Sequence, residues 1–238
     1  MTKVKICGIT GLEDARLALS LGAAELGFVF APSPRRVEPT AVREIMATLR
    51  ADRELAALRR ASGVGGFRAI GVFVNETAAR MRAILKEVGL DAAQIHGDER
   101  PEACADFDFP WYRALRPAAV GEVRDLMNLG WNCPRILADA AARGVYGGTG
   151  STLSLDVAVA ARDAVRRAGK EFFLAGGIGP ANVARTILET EPDGIDLSSG
   201  VERAPGSKSA ALLRELFSEI GRADRELEAR KEAGDAAR

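Results

Sequence analysis

The chain has 238 residues, of which 47% are hydrophobic, and its formal net charge at pH 7 is zero. The chain has no excess of positive charge of the kind that binds nucleic acid or an anionic membrane, so we expect neither as a partner. No apolar run approaches the roughly 20 residues needed to cross a bilayer, and we expect no signal peptide because no apolar segment follows the N-terminal residues.

The cysteines and the single histidine limit the chemistry. Three cysteines, at positions 7, 104 and 133, are odd in number and widely spaced, which fits neither a disulfide framework nor a zinc site. We therefore expect no metal site and a reducing, cytoplasmic location. His96 is the only histidine, so a reaction with two proton transfers must take a second group from Cys, Asp, Glu, Lys or Tyr.

Strand-like and helix-like segments alternate along the chain. The first strand alternates lysine and apolar residues from Lys3 to Ile6 and ends at Cys7. Helical sequence follows at 13–19, with acidic residues in its first turn. Seven further strands are predicted at 25–30, 69–74, 91–96, 111–115, 136–139, 172–175 and 194–197. Each is followed by a glycine-bearing or polar loop and then by helical sequence.

Eight such units in a chain of this length predict a single-domain α/β fold, a closed (β/α)8 barrel. A doubly wound open sheet is the alternative, but no G-x-G-x-x-G sequence follows the first strand. We assign residues 1–222 to the barrel and residues 223–238 to a charged C-terminal tail. Residues 51–67 are predicted to be an insertion that extends the helix of 40–49 and ends in a flexible loop.

Two reactive side chains end predicted strands: Cys7 ends the first and Asp139 ends the sixth. In parallel α/β folds, the carboxyl ends of the strands form the edge at which ligands bind. Position alone leaves a structural role open for both. A free cysteine is usually a small buried hydrophobe, and a strand-end aspartate often caps the following loop.

Glycine-rich loops follow the last three predicted strands. They contain Gly147 and Gly148, then Gly176 and Gly177, and finally the serine–glycine segment at 198–200. Glycine lets backbone N–H groups approach an anion closely, and barrels frequently bind phosphate after strands seven and eight. The alternative is that these glycines only make tight turns. Two such loops after consecutive late strands favour a phosphate site.

Together, these motifs resemble the phosphoribosylanthranilate isomerase family of tryptophan biosynthesis. The similar segments run in order from residue 3 to about residue 208. They are KICGIT at 5–10, GFVF at 27–30 with SPR at 33–35, GVFVN at 71–75, QIHGDE at 94–99, GGTG at 147–150, LAGGI at 174–178 and DLSSGVE at 196–202. Several are weak singly, whereas their joint order and spacing are highly specific.

The resemblance implies a (β/α)8-barrel isomerase without a cofactor or metal. It would convert N-(5-phosphoribosyl)anthranilate to 1-(2-carboxyphenylamino)-1-deoxy-D-ribulose 5-phosphate by an acid–base catalysed Amadori rearrangement. Cys7 resembles the general base, Asp139 the general acid and Arg35 the residue that meets the anthranilate carboxylate. The implied phosphate contacts are Gly147, Gly148, Gly176, Gly177, Ser198, Ser199 and Gly200. The expected partner is this small phosphosugar, bound by a monomer or homodimer.

The chemistry makes demands on these side chains. Opening the sugar ring needs an acid, and removing a proton from the adjacent carbon needs a base. Cys7 suits the base if its pKa falls from about 8.5, and Asp139 suits the acid if its pKa rises from about 3.9. A guanidinium matches a carboxylate bidentately, but sequence does not separate Arg35 from its neighbour Arg36. His96 is expected to be an interior residue or a wall of the site.

Three other functions remain open at this stage. A metal-dependent epimerase would rely on several histidines, and the chain has one. An indole-forming barrel would rely on strand-end lysines, which we do not find after the second to fourth strands. A non-catalytic phosphosugar-binding barrel would be favoured by loss of Cys7 or Asp139, and both are present.

Overall fold

The computed structural model describes residues 1–140 and 153–236 of the chain. Eight parallel strands form a closed barrel in sequence order, and the last strand pairs back with the first. The strands are β1 (Lys3–Cys7), β2 (Glu25–Val29), β3 (Arg68–Phe73), β4 (Ala92–Ile95), β5 (Trp111–Leu115), β6 (Arg135–Ala138), β7 (Glu171–Ala175) and β8 (Gly194–Leu197). This closure confirms the predicted (β/α)8 barrel and rules out the open sheet.

Helices surround the barrel, and a short antiparallel ribbon follows its last strand. The helices are α1 (Leu12–Ser20), α2 (Pro39–Ala51), α3 (Arg53–Ala61), α4 (Ala78–Val88), α5 (Pro101–Cys104), α6 (Val120–Asn128), α7 (Leu155–Arg167), α8 (Pro180–Thr190) and α9 (Ala210–Ala236). The ribbon consists of β9 (Glu202–Ala204) and β10 (Ser207–Lys208). None of the helices in the described part of the chain is long and apolar enough to cross a membrane.

The core has two compartments because the strands are buried on both faces, as parallel strands are. The larger lies between the barrel wall and the helices. The smaller fills the barrel interior and is formed by Ile70, Ala92, Tyr112, Ala114, Leu137, Phe173 and Ala175. Below the interior core, Arg135 Nη1 of β6 donates to the Glu25 carboxylate of β2 at 2.8 and 2.9 Å. The two strands are not neighbours, so this ion pair spans the barrel floor.

The segment 51–67 differs from the prediction of an extended helix. α2 ends at Ala51, and Asp52 has an extended conformation with ψ of 96°. The Asp52 Oδ1 atom then accepts the Leu55 N–H at 2.9 Å and caps α3 as a separate helix. Arg59 of α3 is buried and donates to two carbonyl oxygens at the end of α1 and the following loop, at 2.8 Å each. The insertion is therefore anchored against α1.

The proposed boundary at residue 222 falls inside a continuous helix, because α9 runs through to Ala236. Ala223 is fully buried. The Asp224 carboxylate accepts the Thr2 N–H at 3.0 Å, which ties this part of α9 to the start of β1. The division of the chain into a barrel domain and a tail remains a prediction.

Candidate active site

A pocket lies where the carboxyl ends of the strands meet, the edge at which barrels bind ligands. Its volume is about 820 Å³, including the open space at its mouth. The predicted site residues that line it are Cys7, Arg35, Asp139, Gly176, Gly177, Ser198, Ser199 and Gly200. The other two, Gly147 and Gly148, lie outside the described residues.

Cys7 is the last residue of β1, and 9% of its surface is exposed. Burial raises the pKa of its thiol, while the ammonium groups of Lys5 and Lys208 favour the thiolate and oppose this rise. The net shift is upward, whereas a base suits a lowered pKa. Cys7 is therefore mainly a thiol at neutral pH, and its reactive form is the minor one.

Room for the Cys7 side chain comes from the neighbouring strand. Gly27 of β2 is paired with Cys7 in the parallel ladder. A Cβ atom at position 27 would lie 2.7 Å from Cys7 Sγ and 3.0 Å from Lys5 Nζ. Glycine therefore lets the backbone of β2 approach both groups closely.

Asp139 directly follows β6, and a series of polar side chains in contact with one another leads from it into the barrel interior. Its Oδ2 atom lies 3.1 Å from His96 Nε2, without the alignment of a full hydrogen bond. On the other side of the ring, Gln94 Nε2 lies 3.0 Å from His96 Nδ1. The Tyr112 hydroxyl donates to Gln94 Oε1 at 2.8 Å. All four side chains are buried.

These hydrogen bonds indicate which ring nitrogen of His96 carries the proton. Because the Gln94 oxygen accepts from Tyr112, the amide nitrogen faces the ring and donates to Nδ1 of His96. The ring proton is then assigned to Nε2, on the side of Asp139. His96 also lines the pocket, which confirms its expected place as a wall of the site.

The structure separates the two adjacent arginines. Arg35 lines the pocket, and its Nε and Nη2 atoms donate to the Glu202 carboxylate at 2.9 and 2.7 Å. Its side chain passes close over Gly8, where a Cβ atom would lie 2.5 Å from Arg35 Cδ and where φ is +72°. The Arg36 side chain is 53% exposed and pairs with Glu38. Arg35 is therefore the candidate for ligand binding.

Glu202 and Lys208 belong to the site although the sequence analysis assigned them no role. Lys208 is buried, and its Nζ donates to Glu202 Oε1 at 2.8 Å, to the Cys7 carbonyl oxygen at 2.6 Å and to the Ser198 carbonyl oxygen at 3.2 Å. One ammonium group thus links the end of β1, the loop after β8 and the partner of Arg35. Nothing local in the sequence marks this lysine as buried.

The two described glycine-rich loops are in direct contact. Gly176 and Gly177 have φ of +92° and +58°, a conformation that favours glycine. A Cβ atom at Gly200 would lie 2.0 Å from the Ile178 carbonyl oxygen, so the loop after β8 packs on the loop after β7. The loop after β7 leads directly into the N-terminus of α8.

Ser198 adds a polar group to these loops. Its Oγ atom is buried and has no hydrogen-bond partner among the described residues. Asn182 of α8 fixes the neighbouring loop, because its Oδ1 accepts the Gly179 N–H at 2.8 Å and its Nδ2 donates to the Gly177 carbonyl oxygen at 2.9 Å. The loops therefore offer an ordered anion-binding surface at a helix N-terminus.

A thiol and a carboxyl group at one pocket equip a protein for acid–base chemistry, and the neighbouring arginine and glycine-rich loops suit an anionic molecule. The fold and the site together define the class as a (β/α)8-barrel enzyme. The model of the N-(5′-phosphoribosyl)anthranilate isomerase family matches residues 4–219. The chain belongs to this family, an enzyme family of tryptophan biosynthesis, which confirms the resemblance stated from the sequence.

Individual relatives agree with this assignment. The N-(5′-phosphoribosyl)anthranilate isomerase of Pelobacter propionicus is 40% identical over 222 residues, which cover 91% of this chain and 94% of the relative. The crystal structure of phosphoribosyl anthranilate isomerase from Thermotoga maritima has a TM-score of 0.77 at 29% identity, covering 92% of this chain and 98% of that one. A further structure, at a TM-score of 0.74, 29% identity and the same coverage, is the isomerase in complex with reduced 1-(o-carboxyphenylamino)-1-deoxyribulose 5-phosphate.

Proposed function

We propose that the chain converts N-(5′-phosphoribosyl)anthranilate to the corresponding 1-deoxyribulose 5-phosphate with Asp139 as general acid and Cys7 as general base. The observation that carries this proposal is that both side chains line one pocket in a member of this isomerase family. A ligand in the pocket meets the thiol from the β1 side and the carboxyl group from the β6 side. One acid and one base are what the rearrangement needs.

Asp139 acts in the ring-opening step. Its protonated carboxyl group donates a proton to the ring oxygen of the sugar. The bond from that oxygen to C1 breaks as the nitrogen lone pair forms a C=N bond, which leaves an Asp139 carboxylate and an open-chain iminium. The Nε2 atom of His96 lies 3.1 Å from Asp139 Oδ2, so the proton assigned to Nε2 faces the carboxylate that this step produces.

Cys7 acts in the second step. Its thiolate removes the proton from C2, the electrons of that bond form a C1=C2 double bond, and the C=N pair returns to nitrogen. The resulting enolamine gains a proton at C1 and loses the proton of its C2 hydroxyl, which gives the ketone. One proton has then passed from Asp139 to Cys7, and exchange with solvent restores both groups.

Arg35 is placed to bind the anthranilate carboxylate. Its Nε and Nη2 atoms donate to Glu202, which fixes the plane of the guanidinium and leaves Nη1 as the donor for a ligand. Because Lys208 also donates to Glu202, the carboxylate that orients Arg35 is itself fixed. A guanidinium held in this way meets a second carboxylate with little further loss of side-chain entropy.

The phosphate group is assigned to the loops after β7 and β8. The N-terminus of α8 supplies a favourable dipole, and the buried hydroxyl of Ser198 supplies an unused hydrogen-bonding group. Gly176, Gly177 and Gly200 keep side chains away from this surface. The contribution of Gly147 and Gly148 remains a prediction.

The experiment is fluorescence-monitored turnover of freshly prepared phosphoribosylanthranilate by the wild type, Cys7→Ser and Asp139→Asn. Each variant should lose at least about 100-fold in kcat, the lower limit of what a general acid or base contributes. Cys133→Ser and Asp108→Asn are matched controls. Cys133 is buried and precedes the first residue of β6, whereas Asp139 follows the last residue of that strand. Asp108 is an exposed partner of Arg82, so both variants should turn over like the wild type.

The outcomes separate function from mechanism. An inactive wild type that still binds the reduced product analogue would contradict the proposed activity. An active wild type with a fully active Cys7→Ser variant would preserve the activity and remove Cys7 as the base. The same comparison for Asp139→Asn tests the acid.

The cellular setting is part of the proposal. Cys7, Cys104 and Cys133 are all free thiols, which supports a reducing cytoplasmic location. We infer a monomer or a homodimer, and size-exclusion chromatography with light scattering distinguishes the two. A disulfide-linked form in the freshly isolated protein would argue against the cytoplasm.

A further inference from the structure

A buried cation lies beside the Cys7 thiol. Lys5 is two residues earlier on β1, so both side chains project from the same face of the strand, and Lys5 is fully buried. The point that a Cβ atom at Gly27 would occupy is 2.7 Å from Cys7 Sγ and 3.0 Å from Lys5 Nζ. The sulfur and the ammonium nitrogen are therefore at most 5.7 Å apart in the barrel interior. A lysine side chain is almost never fully buried unless it is paired with another group.

Asp196 fixes the position of this cation. β8 pairs with β1 so that Asp196 is aligned with Lys5, and Asp196 Oδ2 accepts from Lys5 Nζ at 2.8 Å. Burial alone would lower the pKa of Lys5, but Asp196 and Cys7 raise it well above its ordinary value, so the ammonium group stays charged. The carboxylate thus holds the charge of Lys5 close to the thiol.

The ion pair is not explained by stability alone. A buried ion pair adds little net stability because desolvation of both charges offsets their attraction. Asp196 Oδ1 also has no hydrogen-bond partner in the described part of the chain, and burial raises the pKa of this carboxyl group. An incompletely satisfied pair at the edge of the pocket indicates that the cation has a further use.

Charged groups face Cys7 from several elements. They are Lys5 on β1, Asp196 on β8, Lys208 on β10 and Arg35 after β2. Three further titratable groups act on Lys5 or Asp196. They are Tyr112, Asp139 and His96. Of the cations that act on the thiol, Lys5 favours the thiolate most.

Lys208 is less suited to this task. Its Nζ is committed to Glu202 and to the carbonyl oxygens of Cys7 and Ser198. Burial also lowers the pKa of Lys208. It therefore holds the backbone of Cys7, whereas Lys5 adjoins the sulfur atom.

We propose that Lys5 is a positioning residue that supplies the counter-charge for the Cys7 thiolate, and that Asp196 holds Lys5 in place for this purpose. The inference rests on the proposed role of Cys7 as the base. It adds that the base is a coupled unit of three side chains on two adjacent strands. The charge of Lys5 sets the fraction of Cys7 that is reactive at a given pH.

The test measures the ionisation of Cys7 directly. In a Cys104→Ser/Cys133→Ser background, only one thiol remains, so its alkylation by iodoacetamide and its ultraviolet thiolate absorbance can be followed against pH. The test variant is Lys5→Met/Asp196→Asn. It removes both charges of the pair, so neither charge is left buried without its partner. The control is Glu25→Gln/Arg135→Met, which removes the buried pair of the barrel floor. Glu171, the second partner of Arg135, keeps its ion pair with Lys3 in this variant.

The test variant should shift the alkylation and absorbance profiles to higher pH, because Lys5 favours the thiolate more strongly than Asp196 disfavours it. A shift of about half a unit lowers alkylation at pH 7 about threefold. The ascending limb of kcat/KM against pH should move in the same direction, because the base must be deprotonated. The control pair should leave the thiol profile unchanged. Lys5→Arg, which keeps the charge, should retain most of the wild-type profile.

A thiol profile that is the same in the wild type and in the Lys5→Met/Asp196→Asn variant would overturn the inference. Absorbance gives this result even where the thiol is slow to react with the reagent. If Cys7→Ser is inactive in that case, the base assignment stands and only the role of Lys5 is lost. If Cys7→Ser is active but the profile shifts, Lys5 controls a thiol that is not the base.

Discussion

The space beside Cys7 leads to a sharp prediction for Gly27→Ala. The new methyl group would lie 2.7 Å from Cys7 Sγ, and ordinary contact begins at 3.4 Å, so the sulfur must retreat by about 0.7 Å. The Cys7 Cα atom, at 3.0 Å from the same point, limits how far the backbone can adjust. The substitution therefore displaces the proposed base without removing any chemical group.

The expected magnitudes follow from this displacement. A misplacement of about 1 Å at a reacting group costs about 100-fold in rate, so we expect kcat to fall by about 10- to 100-fold. The free energy of unfolding should fall by about 1–3 kcal/mol because the methyl group overpacks the barrel wall. Steady-state turnover of phosphoribosylanthranilate and urea denaturation measure the two effects.

Gly121→Ala is the matched control. It makes the same chemical change in α6, where no described atom other than those of the adjacent residues and the nearby helix backbone lies within 4 Å of the new Cβ. Its kcat should equal that of the wild type, and its stability should be equal or up to about 1 kcal/mol higher. A Gly27→Ala enzyme with wild-type kcat would refute the argument that Cys7 needs its present position.

Four further predictions concern the residues around the pocket. Glu202→Gln should raise KM by about tenfold with a smaller effect on kcat, because Arg35 loses the charge-assisted hydrogen bonds that orient it. Equal KM values in the variant and the wild type would contradict this. Hydrogen bonds from cationic side chains, Arg35 first among them, outweigh burial and hold the pKa of Glu202 below its ordinary value. Glu202 therefore contributes stability that is present above about pH 4.3, the pKa of an unfolded glutamate, and is lost as the pH falls further. Urea denaturation at several pH values should show a smaller acid loss in Glu202→Gln than in the wild type, and the remaining loss belongs to other carboxyl groups with lowered pKa values, such as Glu171. Arg36→Ala should leave kcat/KM unchanged and alter stability by less than about 0.5 kcal/mol, since its side chain is on the surface. Tyr112→Phe should lower the free energy of unfolding by about 1 kcal/mol because a buried hydrogen bond is lost. It should also lower kcat, because the Gln94 amide is then free to turn its oxygen toward the imidazole of His96. An unchanged kcat would show that the present orientation of the Gln94 amide is not needed.

The strands and the main catalytic candidates were predictable because their evidence is local. β5 and β8 have the predicted limits, since short apolar runs between glycine or proline segments leave few other interpretations. Cys7 and Asp139 stand at strand ends, and parallel strands bring such ends together. The break between α2 and α3 was missed because a single capping contact of Asp52 outweighs the helical propensity of its neighbours.

The electrostatics of the site were not predictable, because they depend on contacts between distant parts of the chain. Glu202 meets Arg35 across 167 positions, and Lys208 meets Cys7 across 201. A lysine in a sequence is ordinarily assigned to the surface, so the burial of Lys208 has no local indication. The upward shift in the pKa of Cys7 has the same origin, because it follows from burial in the folded barrel.

The ion pair across the barrel floor bears on how the enzyme adapts to its ligand. Glu25 and Arg135 join opposite walls, and the guanidinium also lies 3.8 Å from the centre of the Phe173 ring and 4.9 Å from that of Tyr112. A barrel braced across its diameter at one end resists any change of its cross-section there. Deformation on ligand binding is therefore confined to the opposite end, and amide hydrogen exchange should be slowest in the strand segments around this brace and fastest in the loops above the pocket.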